Sequence, residues 1–301
     1  MTNPAPSPAD FPHLHDIKEF NRRLVAAFAR LQTIRPYKME KLGEVGGHGI
    51  FLLSPENIDP ASPNILSAGG FHGEEPAGPW GILEYLESAT PEELKKINHS
   101  FLPLVNPTGF EKGQRLNMYG ENPNRGFVPE NRHLEEGSTG NNIGPSVEGK
   151  ILMQHLPRLV VLSKDGCVSQ HEDDGLSSAF VFINERDKCG EDHSAFTKAL
   201  RKQLKDHFSL LPDGGAETLI EPKIKDGVWW GDRAGAFDDL LFEKGIPRAA
   251  TTETPGLKLA KDRVACNKAL TRAFARYAAS RKSSSGACGS CKCSKPKGPA
   301  A

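Results

Sequence analysis

The sequence predicts a layered α/β fold, and three observations carry that expectation. Short apolar runs that read as strands alternate with segments of helical period along residues 15–277, the pattern of helices packed on a sheet. Several of the runs end in glycine or in a metal-ligating type of side chain: residues 65–70 close on two glycines, 166–170 run into His171, and 248–252 run into Glu253. The chain has 301 residues and 37% hydrophobic content, enough for one sizeable core. A length near twice ~150 residues also permits two domains, but α/β enzymes of this size are often single.

The elements follow in order. Residues 1–14 are proline-rich and aperiodic, and read as an unstructured lead. Over 15–34, Ile17, Phe20, Leu24, Phe28 and Leu31 recur at three- and four-residue steps, which makes an amphipathic helix. Residues 42–53 read as a β-hairpin with Gly46, Gly47 and Gly49 around its turn. A buried strand over 65–70, a helix over 80–86 and a strand over 101–105 come next. Residues 106–145 are rich in Asn, Gly, Pro and Arg, and a loop of that length is usually functional or disordered. A helix over 146–162, strands over 166–170 and 179–183, a helix over 194–208, a short helix over 238–243, a strand over 248–252 and a last helix over 257–277 complete the body. No internal repeat is evident. Beyond Ser280 the chain turns small, polar and basic, with almost nothing to bury, and reads as a flexible tail over 281–301.

Composition excludes several classes. Lysine plus arginine equals aspartate plus glutamate, 38 each, so no global field favours nucleic acid. No apolar run approaches the ~18 residues of a membrane span. The start, Met1-Thr2-Asn3-Pro4, has neither a basic region nor an apolar core, so the expected location is cytoplasmic. Cys167, Cys189 and Cys266 are scattered as reduced thiols would be. Cys288, Cys291 and Cys293 crowd the tail; three thiolates fall short of the four a closed zinc site needs, leaving loose soft-metal binding or oxidation as their chemistry.

The chemistry concentrates in His72-Gly73-Glu74-Glu75, Arg115, Asn124-Arg125, His171 and Glu253. Ligands of open α/β sheets collect outside the carboxyl ends of strands, where His72, His171 and Glu253 all fall. His72, Glu75 and His171 together make two imidazoles and a carboxylate, the donor set of a catalytic zinc with its fourth position open to water. Such a metal lowers the pKa of that water to near neutrality, and a further carboxylate must move its proton. Glu253 suits that task. A developing oxyanion and a substrate carboxylate both need cationic, planar donors, which Arg115 and Arg125 supply. Taken singly, each of these residues also fits a polar turn or a strand end.

The set HxxE, then Asn106-Pro107-Thr108-Gly109-Phe110 with Arg115 downstream, then Asn124-Arg125, then strand-end His171 and strand-end Glu253 resembles the zinc carboxypeptidases of the carboxypeptidase A-like superfamily over residues 64–256. The resemblance implies a three-layer α/β/α sandwich with a mixed, mostly parallel eight-stranded sheet, as one catalytic domain over 15–280. It implies one zinc ion on His72, Glu75 and His171, and Glu253 as general base and acid. It implies Arg115 polarising the scissile carbonyl, and Asn124 and Arg125 gripping the substrate's terminal carboxylate. The HGxE form resembles the peptidoglycan-peptide amidases and the succinylglutamate desuccinylase and aspartoacylase branch more than the digestive enzymes.

Two departures matter. Digestive members close a tyrosine over the substrate, but no tyrosine lies between Tyr119 and Tyr277; Trp229 and Trp230 occupy that region, and Trp230 is the candidate cap. Glu74 stands where many carboxypeptidases have arginine, and a free negative charge there would favour cationic substrates. The terminal side-chain pocket is expected to include Phe237, Asp238 and Asp239, with an inward aspartate favouring a basic side chain or diaminopimelate and an inward Phe237 an apolar one. Glu172 or Asp173 could orient a zinc-bound histidine. The expected activity is removal of a C-terminal residue from a peptide, with hydrolysis of an N-acyl amino acid or of a murein peptide as the alternative. A silent metal-handling protein is the reading from another class, disfavoured because no ligand or base is missing. The sequence leaves the oligomeric state open.

Overall fold

Asp16 starts the first helix by accepting a hydrogen bond from Glu19 N at 2.9 Å, which places α1 at Ile17–Ile34. The computed structural model describes residues 11, 13–127, 140, 144–186, 193–214, 224–231 and 235–281. After α1 come β1 (Tyr37–Val45), β2 (His48–Pro55), β3 (Asn64–Gly69), α2 (Ala77–Ser88), α3 (Pro91–Lys95), β4 (Asn98–Leu102) and α4 (Pro107–Lys112). The chain continues through α5 (Val147–Gln154), α6 (Leu156–Leu162), β5 (Gly166–Asp173), β6 (Phe180–Glu185) and α7 (Ala195–His207). It ends with β7 (Ile224–Lys225), β8 (Val228–Trp230), α8 (Phe237–Glu243), β9 (Arg248–Pro255) and α9 (Ala260–Ser280).

All described strands join one sheet in the order β1-β2-β4-β3-β5-β9-β6-β8-β7. The sheet is mixed, as expected, but it has nine strands, and four of its eight neighbour pairs are parallel. The parallel block β4-β3-β5-β9 lies at the centre, so β3, β5 and β9 end on the same edge. Helices α1, α2, α7 and α9 cover one face, around Phe20, Trp80, Leu204 and Phe274. Helices α5, α6 and α8 cover the other, around Phe71, Leu159 and Phe237. The three-layer expectation holds.

The helix expected over 146–162 is two, because Pro157 has no N–H to continue the ladder and the first helix stops at His155. The lead is anchored at its end: Phe11 packs on Trp80 at 5.4 Å and Trp80 Nε1 donates to Leu14 O at 2.9 Å. Residues 1–10 and 12 of the lead, Cys189 and the cysteine-bearing tail beyond Arg281 lie outside the described residues. Cys167 and Cys266 are buried free thiols. No helix among the described residues is long and apolar enough to cross a membrane.

Under α2 and α9 the sheet carries a buried histidine. His99 Nε2 meets Ser67 Oγ at 2.9 Å, its ring lies 4.0 Å from that of Phe101, and its Nδ1 has no partner among the described residues. Burial pushes its pKa down to about 3. The unfolded imidazole accepts a proton near the ordinary 6.5 while the folded one stays neutral. Stability from this site is therefore complete above about pH 6.5 and is lost as pH falls toward 3, at up to ~1.4 kcal/mol per pH unit. Urea unfolding between pH 7 and 5 should show a shallower acid slope for His99→Gln than for wild type; equal slopes would mean His99 titrates normally.

Candidate metal and active site

The site forms where β3, β5 and β9 end, and its first part is the turn between β3 and α2. Gly70 takes a φ of +66°, which turns the chain off the sheet edge. Gly73 then packs against the α4 turn so closely that a Cβ on it would sit 1.9 Å from Gly109 C. Asn106 holds the two turns together: its Oδ1 accepts from Gly109 N at 2.9 Å, and its Nδ2 donates to Phe71 O at 3.3 Å and Arg115 O at 3.2 Å. The HGEE and NPTGF motifs are thus one structural unit.

That unit delivers His72 and Glu75 to His171. Glu75 Oε1 lies 2.6 Å from His72 Nδ1, and Oε2 lies 2.7 Å from His171 Nδ1. One donor atom from each of the three residues lies within 4.8 Å of the others, and all three side chains are buried. The far ring nitrogens point outward: His72 Nε2 meets Asn122 Oδ1 at 3.1 Å, and His171 Nε2 meets Ser169 Oγ at 3.1 Å and Asn124 Nδ2 at 3.3 Å. An amide oxygen only accepts, so His72 carries its proton on Nε2 when Nδ1 ligates, the tautomer a metal requires. Burial pushes the His72 pKa down to about 3, which keeps the ring neutral. Burial alone would raise the Glu75 carboxyl, yet His72 and His171 beside it hold it well below the usual range. The donor set and its convergence fit a divalent metal.

Strand pairing places Glu253. His171 of β5 and Glu253 of β9 are register partners, as are Ser169 and Thr251, so all four side chains share the face under α8. Glu253 is 5% exposed, and its charge, with those of Glu75 and Glu74, raises the pKa of Arg115 against burial. Arg115 Nη1 donates to Glu74 Oε1 at 3.0 Å and to Glu75 Oε1 at 3.2 Å. Burial pushes the Glu74 pKa up while Arg115 pulls it down. The expectation of Glu74 as a free negative charge is corrected: its carboxylate is taken up by Arg115. Asn124 Oδ1 accepts from Phe237 N at 3.0 Å and Arg125 Nη1 donates to Asn124 O at 2.8 Å, so the pair sits between His171 and the start of α8.

Phe237, Asp238 and Asp239 point in different directions. Phe237 is fully buried against Phe71 and Phe127. Asp239 accepts from Asn184 Nδ2 at 3.0 Å and Ala236 N at 3.3 Å. Asp238 lies on the site face, where Thr251 Oγ1 donates to its Oδ2 at 2.7 Å; its buried Oδ1 has no donor among the described residues. Trp230 does not cap the site. It is the register partner of Ile183, which pairs with Ala250, and these pack on the opposite face from Glu253, where Trp230 stacks on His193 at 5.9 Å. Glu172 orients neither histidine through its side chain, which accepts from Ala77 N at 2.6 Å and pairs with buried Arg263; its backbone N–H donates to Glu75 Oε2 at 3.3 Å. Asn122 and Ser169, which meet the far ring nitrogens of His72 and His171, were not distinguishable in sequence from loop and strand polar residues.

No protein-family model and no curated protein matches the chain. Among solved structures, a candidate metallopeptidase from Shewanella amazonensis SB2B is 35% identical over 87% of this chain and 92% of its own, with a TM-score of 0.76. A metallo-carboxypeptidase from Burkholderia cenocepacia, 15% identical over 84% of this chain and 67% of its own, shares the fold at a TM-score of 0.57. The murein-tripeptide amidase MpaA of Escherichia coli O157, 18% identical over 79% of this chain and 93% of its own, shares it at 0.52. The chain belongs to the family of the Shewanella metallopeptidase, and it has the fold of the metallo-carboxypeptidases.

Gly73→Ala tests the coupling of the two turns. A methyl group cannot enter the space held by Gly109, so the turn must shift and separate His72 from Glu75. Metal content by atomic absorption should fall well below one ion per chain while the far-UV spectrum is kept; full metal content would show that the turn adapts.

Proposed function

We propose that the protein is a zinc-dependent metallocarboxypeptidase that removes a C-terminal residue from peptides, with a preference for basic side chains. The observation that carries this reading is the convergence of His72, Glu75 and His171 beside Glu253, its carboxylate one strand away in register with His171. Zinc held by the three would supply Lewis acidity, bringing a water molecule's pKa toward neutrality. Glu253 takes the proton of the attacking water and passes it to the leaving amine. Arg115 donates to the carbonyl oxygen as its charge develops. Arg125, with the Asn124 amide, receives the terminal carboxylate, a bidentate task suited to guanidinium. The terminal side chain enters beside Thr251, where Asp238 Oδ1, which has no donor among the described residues, suits a cationic tip, a lysine or diaminopimelate amine or an arginine guanidinium.

Proteins that share the fold suggest a second reading. The HGEE sequence and the shared fold with a murein-tripeptide amidase support amide hydrolysis of a cell-wall peptide or an N-acyl amino acid. A library of peptides, murein peptides and N-acyl amino acids, digested with zinc-loaded protein and read by mass, separates them. Turnover of N-acyl amino acids alone would sink the peptidase reading.

Glu253→Gln should keep one metal ion per chain and lose ~10²–10⁴-fold in kcat, the usual contribution of a positioned base. Unchanged hydrolysis removes Glu253 from the mechanism. Asp238→Asn should reduce kcat/KM for C-terminal lysine relative to leucine by ~10-fold or more, the worth of a charge-assisted hydrogen bond. An unaltered ratio would mean that the terminal side chain does not reach Asp238.

A further inference from the structure

Arg115 is a long side chain that is 42% exposed beside a buried metal site. Its backbone end is fixed, because Asn106 Nδ2 donates to its carbonyl. Its guanidinium end is held by two carboxylates through one nitrogen, Nη1. These holds are not equivalent. Glu75 Oε1 also faces His72 Nδ1 at 2.6 Å, and a cation held by the three ligands would draw on the Glu75 carboxylate. Any charge Glu75 gives to a metal is withdrawn from Arg115. Glu74 is outside the ligand set and keeps its whole charge for the guanidinium. Its backbone cannot drift, since the preceding Gly73 is wedged against Gly109.

From this geometry we infer that Glu74 is a positioning residue, which holds the Arg115 guanidinium at the edge of the metal site when the metal is bound. The inference rests on the role given to Arg115 in the proposed function. It also accounts for an acidic residue between two ligands, where an unpaired negative charge would repel a substrate carboxylate. Paired with Arg115, Glu74 adds no net charge to the entrance.

The test is a double-variant cycle on the full, zinc-loaded chain, with Glu74→Ala, Arg115→Ala and both together, assayed on a peptide the enzyme cleaves. Arg115→Ala should lower kcat ~10²–10³-fold, the cost of one lost oxyanion donor. Glu74→Ala should lower it ~10–10²-fold, the cost of a misplaced group, with KM little changed. The double variant should match Arg115→Ala alone, because Glu74 acts only through Arg115. Glu74→Asp should recover part of the loss. Zinc affinity by chelator competition should be unaltered in Glu74→Ala. Nitrogen-15 spectra should show the Arg115 guanidinium resonances sharp in wild type and averaged in Glu74→Ala, in the zinc-loaded protein.

Additive losses, a kcat raised by Glu74→Ala, a parallel fall in zinc affinity, or an Arg115 signal indifferent to residue 74 would each overturn the inference. An inert Arg115→Ala would remove the oxyanion role and Glu74's with it. A damaging Arg115→Ala with an additive double variant would remove Glu74's alone.

Discussion

The arrangement depends on one buried carboxylate. Glu75 lies between His72 and His171, touching both Nδ1 atoms, and three parts of the chain must meet for that to happen. The turn after β3 brings Glu75 and His72, β5 brings His171, and the α4 turn underpins both through Asn106. A buried anion without partners is costly, so the protein surrounds this one with donors. The backbone N–H of Glu172 and the Arg115 guanidinium donate to it, and both imidazole Nδ1 atoms face it. Arg263 and the first turn of α2 take the Glu172 charge one residue beyond His171, so two carboxylates tolerate one another at the same sheet edge.

The position of that edge follows from the parallel centre of the sheet. Parallel strands β3, β5 and β9 are joined by crossovers, so their carboxyl ends align and their following turns gather. Antiparallel strands flank the block and carry no ligand. His72, His171 and Glu253 thus gather where parallel strands end, while the segment after β4 brings the long side chains of Arg115 and Arg125 and the amides of Asn122 and Asn124 to the same edge.

Some of this was legible because strand ends announce themselves. An apolar run followed by glycine, or by a lone histidine or glutamate, places a side chain at a sheet edge whatever the rest of the fold does. His72, His171 and Glu253 were found that way. Trp230 was misread because strand parity decides the face, and β8 is too short for an alternation to show. The ninth strand, β7, is two residues long and leaves no pattern at all. Asn122 and Ser169 act through one contact each with a ring nitrogen, and such contacts depend on distances between segments far apart in sequence.

The sequence by itself pointed to the layered fold and to the residues that converge at the sheet edge, His72, Glu75, His171 and Glu253, because each is written in local pattern and residue type. Only the tertiary structure decided what the charges beside them do. Glu74 read as an open negative charge until folding brought Arg115 from 41 residues away within 3.0 Å of it. Asp238 and Phe237 were interchangeable neighbours until helix α8 turned one toward Thr251 and the other into the core. A charge's effect depends on its partner's distance and on water's exclusion, and neither exists before the chain is folded.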